Sequence, residues 1–418
     1  MPLNISTFNI KLVFVIPALL LCSTVFANNW DIRQRLIVGH EQRDTRPDTQ
    51  LNPGIFARED KYRQLALDND LQWRITPNLS SSARLAWMAE QSGLQSSQHA
   101  YQQKLDLSAL LLEGELSWHS RFRTQQLRIG RIKPQWSQGF NWPVTDLLKP
   151  NRSRPSFDQD QLRQQQGHNM INLRWRHDAW SASALIAELD SDEFTAEHQS
   201  AMRLAYEGDS DVALIWHHIP ALGSQWGVSI SRLLTDATTF RFDTAFERQR
   251  DLLTLSSPDD TQVPQAISER DGYWKILLAA QHSWGNWDLR SEYLFNQHGY
   301  SDDERRQLDS WSEHYQQQLN SPQAASSFEF FSNASQAISN GQLAKNSLYL
   351  MFGNGRSPGF WQWQQSVQWN LDDNSQYHQW QLGQRWTDAI NSRLQLEYFE
   401  GDSNTEYGRL PSRFAGRL

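Results

Sequence analysis

Apolar and polar side chains alternate along this chain in runs of about ten residues, separated by short turns. In the run 361–371, Trp361 and Trp369 share one parity, whereas Gln364 and Gln368 share the other. A β-strand with this period presents one face to an apolar phase and the other to water. Because the pattern recurs along nearly the whole chain, it predicts an all-β fold: a closed, antiparallel, up-and-down transmembrane β-barrel with a hydrated interior.

The first 27 residues carry the features of a secretory signal peptide. The stretch 12–21 is apolar apart from Pro17, and small residues precede a cleavage point after Ala27. An anchoring helix would need about 20 unbroken apolar residues. Lipoprotein processing at Cys22 is disfavoured because Leu21 is large. We therefore predict a signal peptide at 1–27, a barrel at 28–418 and a location in the cell outer membrane.

Composition removes several classes of protein. Cys22 is the only cysteine, so the processed chain can form no disulfide, thiolate nucleophile or cysteine metal site. The mean hydropathy of −0.68 is incompatible with a helical membrane protein. It is compatible with a barrel, in which alternate residues meet lipid. Aromatic residues make up 12% of the chain and include 19 tryptophans, as expected for two interfacial girdles. With a formal net charge of −8 and no basic tract, no nucleic-acid partner is expected.

The alternating runs predict about 18 strands, with 16 as the alternative. A switch of parity within 109–112 predicts a β-bulge in the fourth strand. The strongest candidates are residues 65–75, 83–89, 105–118, 171–175, 180–186, 202–206, 212–216, 226–230, 240–246, 274–280, 287–295, 348–352, 361–371, 380–386 and 390–398, with weaker ones at 30–38, 127–131 and 407–418.

Short and long connections between the predicted strands lie on opposite edges of the barrel. The tight turns all lie on one edge, and the long segments 44–59, 134–166, 248–270 and 297–342 lie on the other. Outer-membrane barrels show this asymmetry, with short periplasmic turns and long external loops. The polar segment 297–342 is predicted to be a solvated loop, with a cation site at its acidic start, 301–304, as the alternative. A periplasmic girdle is predicted from Trp73, Trp118, Trp175, Trp180, Trp284, Trp287 and Trp386.

Parity also predicts which charged residues face the lumen. Of the 39 basic residues, 32 are arginine. Two interpretations remain open: these arginines line a path for an anionic solute, or they pair with carboxylates and brace the wall. The predicted pore-lining set is Arg74, Arg84, Arg128, Arg174, Arg176, Arg241, Arg290, Arg385 and Arg393, and the other lumen-facing charges are Asp68, Asp70, Glu90, Arg203, Asp243, Lys275, Glu292, Glu397 and neighbouring positions.

The third long connection, 134–166, is rich in proline, arginine and aromatic residues. General porins fold their third external loop into the barrel. By that analogy we place Lys149, Arg152 and Arg154 near the narrowest point of the pore. A proline-stiffened external cap is the alternative.

This region also carries a family resemblance. Gly130-Arg131, Trp136, Gly139, Trp142-Pro143, Thr145-Asp146-Leu147 and Pro150 occur in that order. Their spacing resembles a stretch found in large Gram-negative outer-membrane barrels, including alginate-export-like porins and related families. The match covers only about twenty residues, and Ser137-Gln138 departs from it. The resemblance implies an 18-stranded barrel that passes an anionic saccharide or another small acid.

Motifs for catalysis are scarce. The sequence has no H-E-x-x-H and no Walker loop, and His217-His218 is the only adjacent histidine pair. We expect that pair to be exposed rather than metal-binding. The predicted function is therefore a porin-like channel for passive diffusion of small hydrophilic, anionic or saccharide-like solutes, and not an enzyme. A non-conducting structural or interaction barrel and an outer-membrane hydrolase are the alternatives.

The predicted partners follow from this function. They are outer-membrane lipids, small hydrophilic or anionic solutes and the barrel-assembly machinery. No cofactor or metal is implied.

Overall fold

The computed structural model of the protein describes most of the chain beyond the predicted signal peptide, which lies outside the described residues. The described residues are 30–46, 49–54, 58–95, 102–120, 124–134, 136–137, 139–147, 167–188, 198–220, 223–248, 250–254, 263–269, 272–340, 343–354, 361–387, 389–410 and 412–417.

Strands dominate these residues, and two helices interrupt them late in the chain. In order, the elements are β1 (Trp30–Thr45), β2 (Arg58–Thr76), β3 (Leu79–Gln95), β4 (Gln102–His119), β5 (Gln125–Ile132), β6 (His168–His177), β7 (Trp180–Glu188), β8 (His198–Tyr206), β9 (Ser210–Ile219), β10 (Gly223–Thr235), β11 (Thr238–Glu247), β12 (Arg250–Thr254), β13 (Gln265–Glu269), β14 (Tyr273–Trp284), β15 (Trp287–Asn296), α1 (Asp302–Gln318), α2 (Ala324–Asn340), β16 (Asn346–Gly353), β17 (Trp361–Asn370), β18 (Gln376–Arg385), β19 (Asn391–Glu400) and β20 (Ser412–Arg417).

Eighteen of the strands form one closed antiparallel sheet. Each strand pairs with its neighbours along the chain, and β11 pairs with β14 because β12 and β13 form a separate hairpin. The barrel closes where β1 meets β20, with Thr45 opposite Ser412 and Glu41 opposite Arg417. The predicted count of 18 is confirmed and the alternative of 16 is wrong. The predicted last strand, 407–418, is too long, because residues 407–410 belong to the preceding loop.

Side-chain burial follows the predicted parity. Along β9, Ala213 and Ile215 face inward and are buried, whereas Val212 and Leu214 face outward and are exposed. The same alternation places exposed leucine, isoleucine and tryptophan side chains on the outer face of the rest of the barrel. The predicted bulge in β4 is confirmed, because Arg84 pairs with Glu113 but Leu85 pairs with Leu111, which leaves Leu112 without a partner.

An aromatic girdle lies at the edge with the short turns. Trp30 and Trp73 stack with ring centroids 4.9 Å apart, and Trp180 meets Tyr206 edge-on at 5.1 Å. Of the predicted girdle members, Trp287 is more enclosed than the others, because its ring packs on Phe352 at 5.2 Å. Aromatic side chains at this level place the short turns at a membrane interface.

The long connections lie on the opposite edge, as predicted. One prediction about them is wrong: the segment 297–342 contains the helical hairpin α1–α2 rather than only a solvated loop. Its acidic start is a capping box, in which the Ser301 side chain accepts from the Glu304 amide and Glu304 accepts from the Ser301 amide. The negative first turn therefore stabilises the start of α1. Among the described residues, no helix is long and apolar enough to cross a membrane.

The helical hairpin has an apolar core of its own. Leu308, Phe330 and Phe331 are almost fully buried there, and Tyr315 stacks on Phe330 at 4.6 Å. This core extends beyond the hairpin, because Leu51 of the β1–β2 loop is one of its members. Val263 of the β11–β14 connection also packs against it. The hairpin is thus a centre to which other external loops attach.

These contacts carry the hairpin across the external mouth. In the closed sheet, eight strands separate the β1–β2 loop from the β11–β14 connection on one side, and ten separate them on the other. The two loops are therefore almost diametrically opposite. Since α1 and α2 contact both, the hairpin spans the opening, and we call α1, α2 and the loops attached to them the external cap.

Ion pairs and amides fasten the external cap to the rim. Asp309 of α1 accepts from Arg409 at 2.6 Å and from Gln50 at 2.7 Å. Arg305, on the same helix, bonds to Asp372 at 3.1 Å, and Asp372 also accepts from the Lys345 amide at 2.6 Å. One helix therefore contacts the loops that follow β1, β17 and β19.

A buried carboxyl lies within this network. Glu406 accepts from the Asn370 amide group at 2.8 Å, and its backbone N–H donates to Asp373 at 2.8 Å. Burial and the negative charge of Asp373 together raise the pKa of Glu406 to about 8, although Arg305 opposes the shift. The folded cap therefore favours the protonated form of this side chain.

We expect an arginine on the outer face to destabilise the barrel according to its depth. Leu214→Arg, at the middle of β9, should lower the free energy of unfolding by about 2–4 kcal/mol, and Leu234→Arg, one residue from the end of β10, by about 0–1 kcal/mol. Equilibrium unfolding of the protein refolded in lipid vesicles measures both values. Equal costs at the two positions would contradict the proposed membrane level.

We also expect the external cap to loosen as the pH rises. The folded pKa of Glu406 exceeds its ordinary value of 4.5, so the folded cap binds more protons than the opened one between about pH 4.5 and pH 8, and its stability falls across that window. Hydrogen exchange of residues 401–410, corrected for intrinsic rates, should show less protection at pH 9 than at pH 6. Glu406→Gln should remove the difference, whereas the exposed control Glu313→Gln on α1 should retain it.

Candidate solute pathway in the barrel lumen

The described part of the β5–β6 connection, residues 133–134, 136–137 and 139–147, folds into the barrel instead of standing above it. Trp136 packs against inward-facing side chains of the wall that include Ile132, Met170 and Ile215. Trp142 joins a second such cluster on the far strands, with Ala245, Leu277 and Leu294. The segment therefore runs along the inner wall and narrows the lumen. We call these described residues the inner loop.

Two residues of the family resemblance, Gly139 and Asp146, shape the inner loop. Asp146 accepts from the backbone amides of Trp136 and Ser137, which closes the loop on itself. A side chain at Gly139 would place its Cβ 2.1 Å from the Trp142 carbonyl oxygen, so only glycine fits that turn. The motif is thus a folding signal for the inner loop.

Two carboxylates of the wall hold the inner loop in place. Glu292 of β15 accepts from three successive backbone amides, those of Phe140, Asn141 and Trp142, the last two at 2.9 and 3.2 Å. Asp243 of β11 accepts from the Ser137 hydroxyl at 2.9 Å. Successive N–H groups form a concave anion site, and here the occupant is a side chain of the protein. These two acids are therefore committed to the loop.

The tip of the inner loop contacts two arginines. The guanidinium carbon of Arg241 lies 4.2 Å from the centroid of the Phe140 ring, and that of Arg290 lies 4.6 Å from it. Both contacts fall within the range of cation–π attraction. Arg290 also bonds to Asp288 at 2.6 Å, whereas Nε and Nη1 of Arg241 are buried and have no hydrogen-bond partner among the described residues.

A charged cavity of about 450 Å³ lies along β1 to β5. Asp68 is its centre: Arg84 binds both carboxylate oxygens at 3.0 and 2.8 Å, and Arg35 adds a bond of 2.9 Å. Arg128 pairs with Glu115 in the same cavity. In this part of the wall the bracing interpretation of the arginines holds.

Beside the charged cavity lie two arginines that are not bonded to a carboxylate of the described chain. Arg174 on β6 and Arg203 on β8 face the lumen on either side of Ser183, which pairs with both in register. Strands are spaced by about 4.8 Å, so the two arginine backbones are about 10 Å apart. Within the described residues, neither side chain bonds to a carboxylate. Glu115 acts on Arg174, and Glu207 and Asp211 act on Arg203, through space only.

A second cavity, of about 210 Å³, lies between the tip of the inner loop and strands β16 to β19. Phe140 and Asn141 form one side of it. Polar, mostly uncharged side chains form the other: Tyr349, Gln364, Ser366, Tyr377, Gln379, Gln381, Arg393 and Gln395. The lumen therefore has a basic arc, formed by Arg174 and Arg203, and an amide-rich arc, formed by the glutamines of this second cavity.

The predicted pore-lining residues fall into distinct groups. Arg84, Arg128, Arg176 and Arg290 pair with Asp68, Glu115, Glu207 and Asp288. Arg241 supports the inner loop, and Arg174 has no carboxylate partner among the described residues. Arg74 and Arg385 lie exposed at the periplasmic end, and Arg393 lines the amide-rich cavity. Lys149, Arg152 and Arg154 lie outside the described residues, so their placement stays a prediction.

The structure corrects the interpretation of the histidine pair. His217 does face the lumen, but it is buried, with Nδ1 3.0 Å from Gln225 Oε1 and Nε2 2.8 Å from Gln199 Oε1. It is a structural side chain rather than an exposed one. Among the described residues, no group of three or more histidine, cysteine, aspartate or glutamate side chains could hold a metal ion.

Residues 355–359 have the spacing G-x-S-x-G. This stretch lies outside the described residues, between the two barrel strands β16 and β17. The hydrolase elbow with this spacing joins a strand to a helix.

Comparison with solved structures assigns the fold. The chain is similar to three Pseudomonas aeruginosa structures: OpdQ (TM-score 0.53, 11% identity, 94% of this chain and 97% of that chain covered), OccK7 or OpdD (0.52, 10%, 93% and 97%) and OccK2 or OpdF in complex with glucuronate (0.51, 9%, 93% and 96%). The chain has the 18-stranded barrel fold of these structures. No family model and no curated protein sequence matches it.

We expect the inner loop to depend on its carboxylate anchor. Glu292→Ala removes the acceptor for three backbone amides, so the loop should detach from the wall and the pore should widen. Single-channel recordings should show a conductance at least about 1.5-fold that of the parent protein, in line with a loss of several hydrogen bonds to a charged group. The control Glu313→Ala, on the exposed face of α1, should leave the conductance unchanged. A conductance equal to the parent value in Glu292→Ala would show that the loop is held by other contacts.

Proposed function

We propose that this protein is an outer-membrane channel for the passive diffusion of small hydrophilic solutes, with a preference for anionic, saccharide-like ones. A closed barrel with an apolar exterior, a polar interior and an inner loop that narrows the lumen is the architecture of a selective pore. The proposal includes the outer-membrane lipids as the surroundings of the barrel and the barrel-assembly machinery as the partner in its insertion.

The observation that carries the anionic preference is the unpaired basic arc. Four acids of the lumen are engaged by other contacts: Asp68 and Glu115 bind arginines, and Asp243 and Glu292 bind the inner loop. Arg174 and Arg203 bond to no carboxylate among the described residues, so the wall offsets their positive charge only through space, by Glu115, Glu207 and Asp211. Guanidinium groups bind carboxylates through paired hydrogen bonds, which favours small carboxylic acids as solutes.

A neighbour in fold supports the choice of solute class. OccK2 was crystallised in complex with glucuronate, a sugar acid with a six-membered ring. A solute of this kind combines one carboxylate with several hydroxyl groups. The lumen described above offers arginine for the former and amides for the latter. The finer likeness to alginate-export-like porins, drawn from the inner-loop motif, stays a prediction.

A non-conducting structural barrel is the second candidate. The observation that favours it is the external cap, because α1 and α2 span the mouth. One measurement distinguishes the two functions. A channel gives discrete current steps in a planar bilayer, and a sealed barrel gives none.

We expect neutralisation of the basic arc to weaken anion preference. In the double variant Arg174→Gln/Arg203→Gln, the chloride-to-potassium permeability ratio should fall by at least about twofold, because one charge about 5 Å from an ion in a wet pore changes its occupancy about fourfold before salt screening. The reversal potential in a KCl gradient measures the ratio. The matched control Arg84→Gln/Asp68→Asn removes one positive and one negative charge, so it preserves the net charge of the lumen and should keep the parent ratio, although Arg35 loses its bond to Asp68. A ratio unchanged in the first variant would refute the role of the basic arc.

A further inference from the structure

Four glutamines on adjacent strands form an uncharged surface in the lumen, which we call the amide wall: Gln364, Gln379, Gln381 and Gln395. Strand register places three of them in one row, since Gln364 pairs with Gln381 and Gln381 pairs with Gln395. With strands spaced by about 4.8 Å, the row spans about 10 Å. The amide wall lines the 210 Å³ cavity that Phe140 and Asn141 of the inner loop close from the other side.

The amides of this wall are oriented by one buried carboxylate. Glu397 Oε1 accepts from the Tyr377 hydroxyl at 2.8 Å, from Gln379 at 3.2 Å and from Gln395 at 2.6 Å. A carboxylate can only accept, so it fixes the donor ends of these groups toward itself. The oxygen ends of Gln379 and Gln395 accept from Gln381 Nε2, at 3.2 and 3.3 Å.

This arrangement leaves polar groups available to the cavity. The Nε2 group of Gln381 makes two bonds, but within the described residues its Oε1 accepts none. The Gln364 side chain likewise makes no hydrogen bond within the described part of the chain. One acceptor and one complete amide therefore face the lumen, held in position by the neighbouring strands. A hydroxyl group both donates and accepts, so it matches such a surface, whereas an apolar ring leaves the amides without partners.

We propose that the amide wall is the binding subsite for the hydroxyl groups of single-ring sugar acids. This inference rests on the proposed function and specifies its solute. The cavity is smaller than the roughly 300–1,000 Å³ of sites for drug-sized ligands, so it accommodates one ring rather than a chain of rings. Arg393 lines the same cavity and supplies a cation near the amides. Selectivity then depends on hydroxyl recognition as well as on charge.

The test compares two probes that differ in hydroxyl groups but share a ring and a carboxylate: glucuronate and cyclohexanecarboxylate. Saturation-transfer NMR on the barrel refolded in micelles gives an apparent Kd for each probe, and reduction of the KCl current in bilayers gives a second value. The double variant Gln364→Leu/Gln381→Leu should weaken glucuronate binding about tenfold, as expected for the loss of two neutral hydrogen bonds, and change cyclohexanecarboxylate binding less than twofold.

Controls separate this inference from others. Gln126→Leu removes a lumen-facing amide that bonds to Ser117 outside the amide wall, so it should leave both probes unchanged. Gln364→Ala/Gln381→Ala repeats the test with smaller side chains in case leucine prevents refolding. Equal weakening of both probes, or of neither, overturns the amide-wall inference even where KCl current is normal. Absence of current in the parent protein overturns the channel function, while the NMR titration still decides whether the amide wall binds hydroxyl groups.

Discussion

The structure depends on one constraint: inside a bilayer, every backbone N–H and C=O must find its partner within the protein. Eighteen strands meet this constraint only because β1 and β20 pair and leave no open edge between them. Once the ring is closed, the side-chain period of two divides each strand into a lipid face and a lumen face. All chemistry of the pore must then come from alternate residues and from loops that enter the barrel.

Acidic residues decide how that chemistry is distributed. Two of them, Asp243 and Glu292, bind the inner loop instead of arginines. Asp68 and Glu115 neutralise their basic neighbours along β2 to β5. The remaining cations on β6 and β8 keep their charge facing the lumen. The charge at each point of the pore therefore depends on which arginines are paired with an acid. A count of arginines in the sequence does not reveal that pairing.

The external cap adds a second restriction above the inner loop. Its core joins helices and loops that are far apart in sequence, and its rim contacts centre on Asp309 and Asp372. A carboxyl whose pKa is raised to about 8 lies among these contacts, so the cap has a built-in sensitivity to pH near neutrality. The inner loop, by contrast, is held by bonds to the barrel wall itself. The two restrictions thus rest on different interactions.

The sequence by itself determined the barrel, a count of about 18 strands, the edge that carries the long loops, the bulge at 109–112 and the lumen-facing parity of residues such as Arg174 and Glu292. These features are local, because alternation and turn residues are readable within about ten residues. Only the tertiary structure decided that Glu292 binds the inner loop, that Arg84 is paired and Arg174 is not, that 297–342 contains two helices and that Gln364, Gln381 and Gln395 share a row. Those outcomes depend on register between strands and on contacts between distant loops, which no single segment encodes.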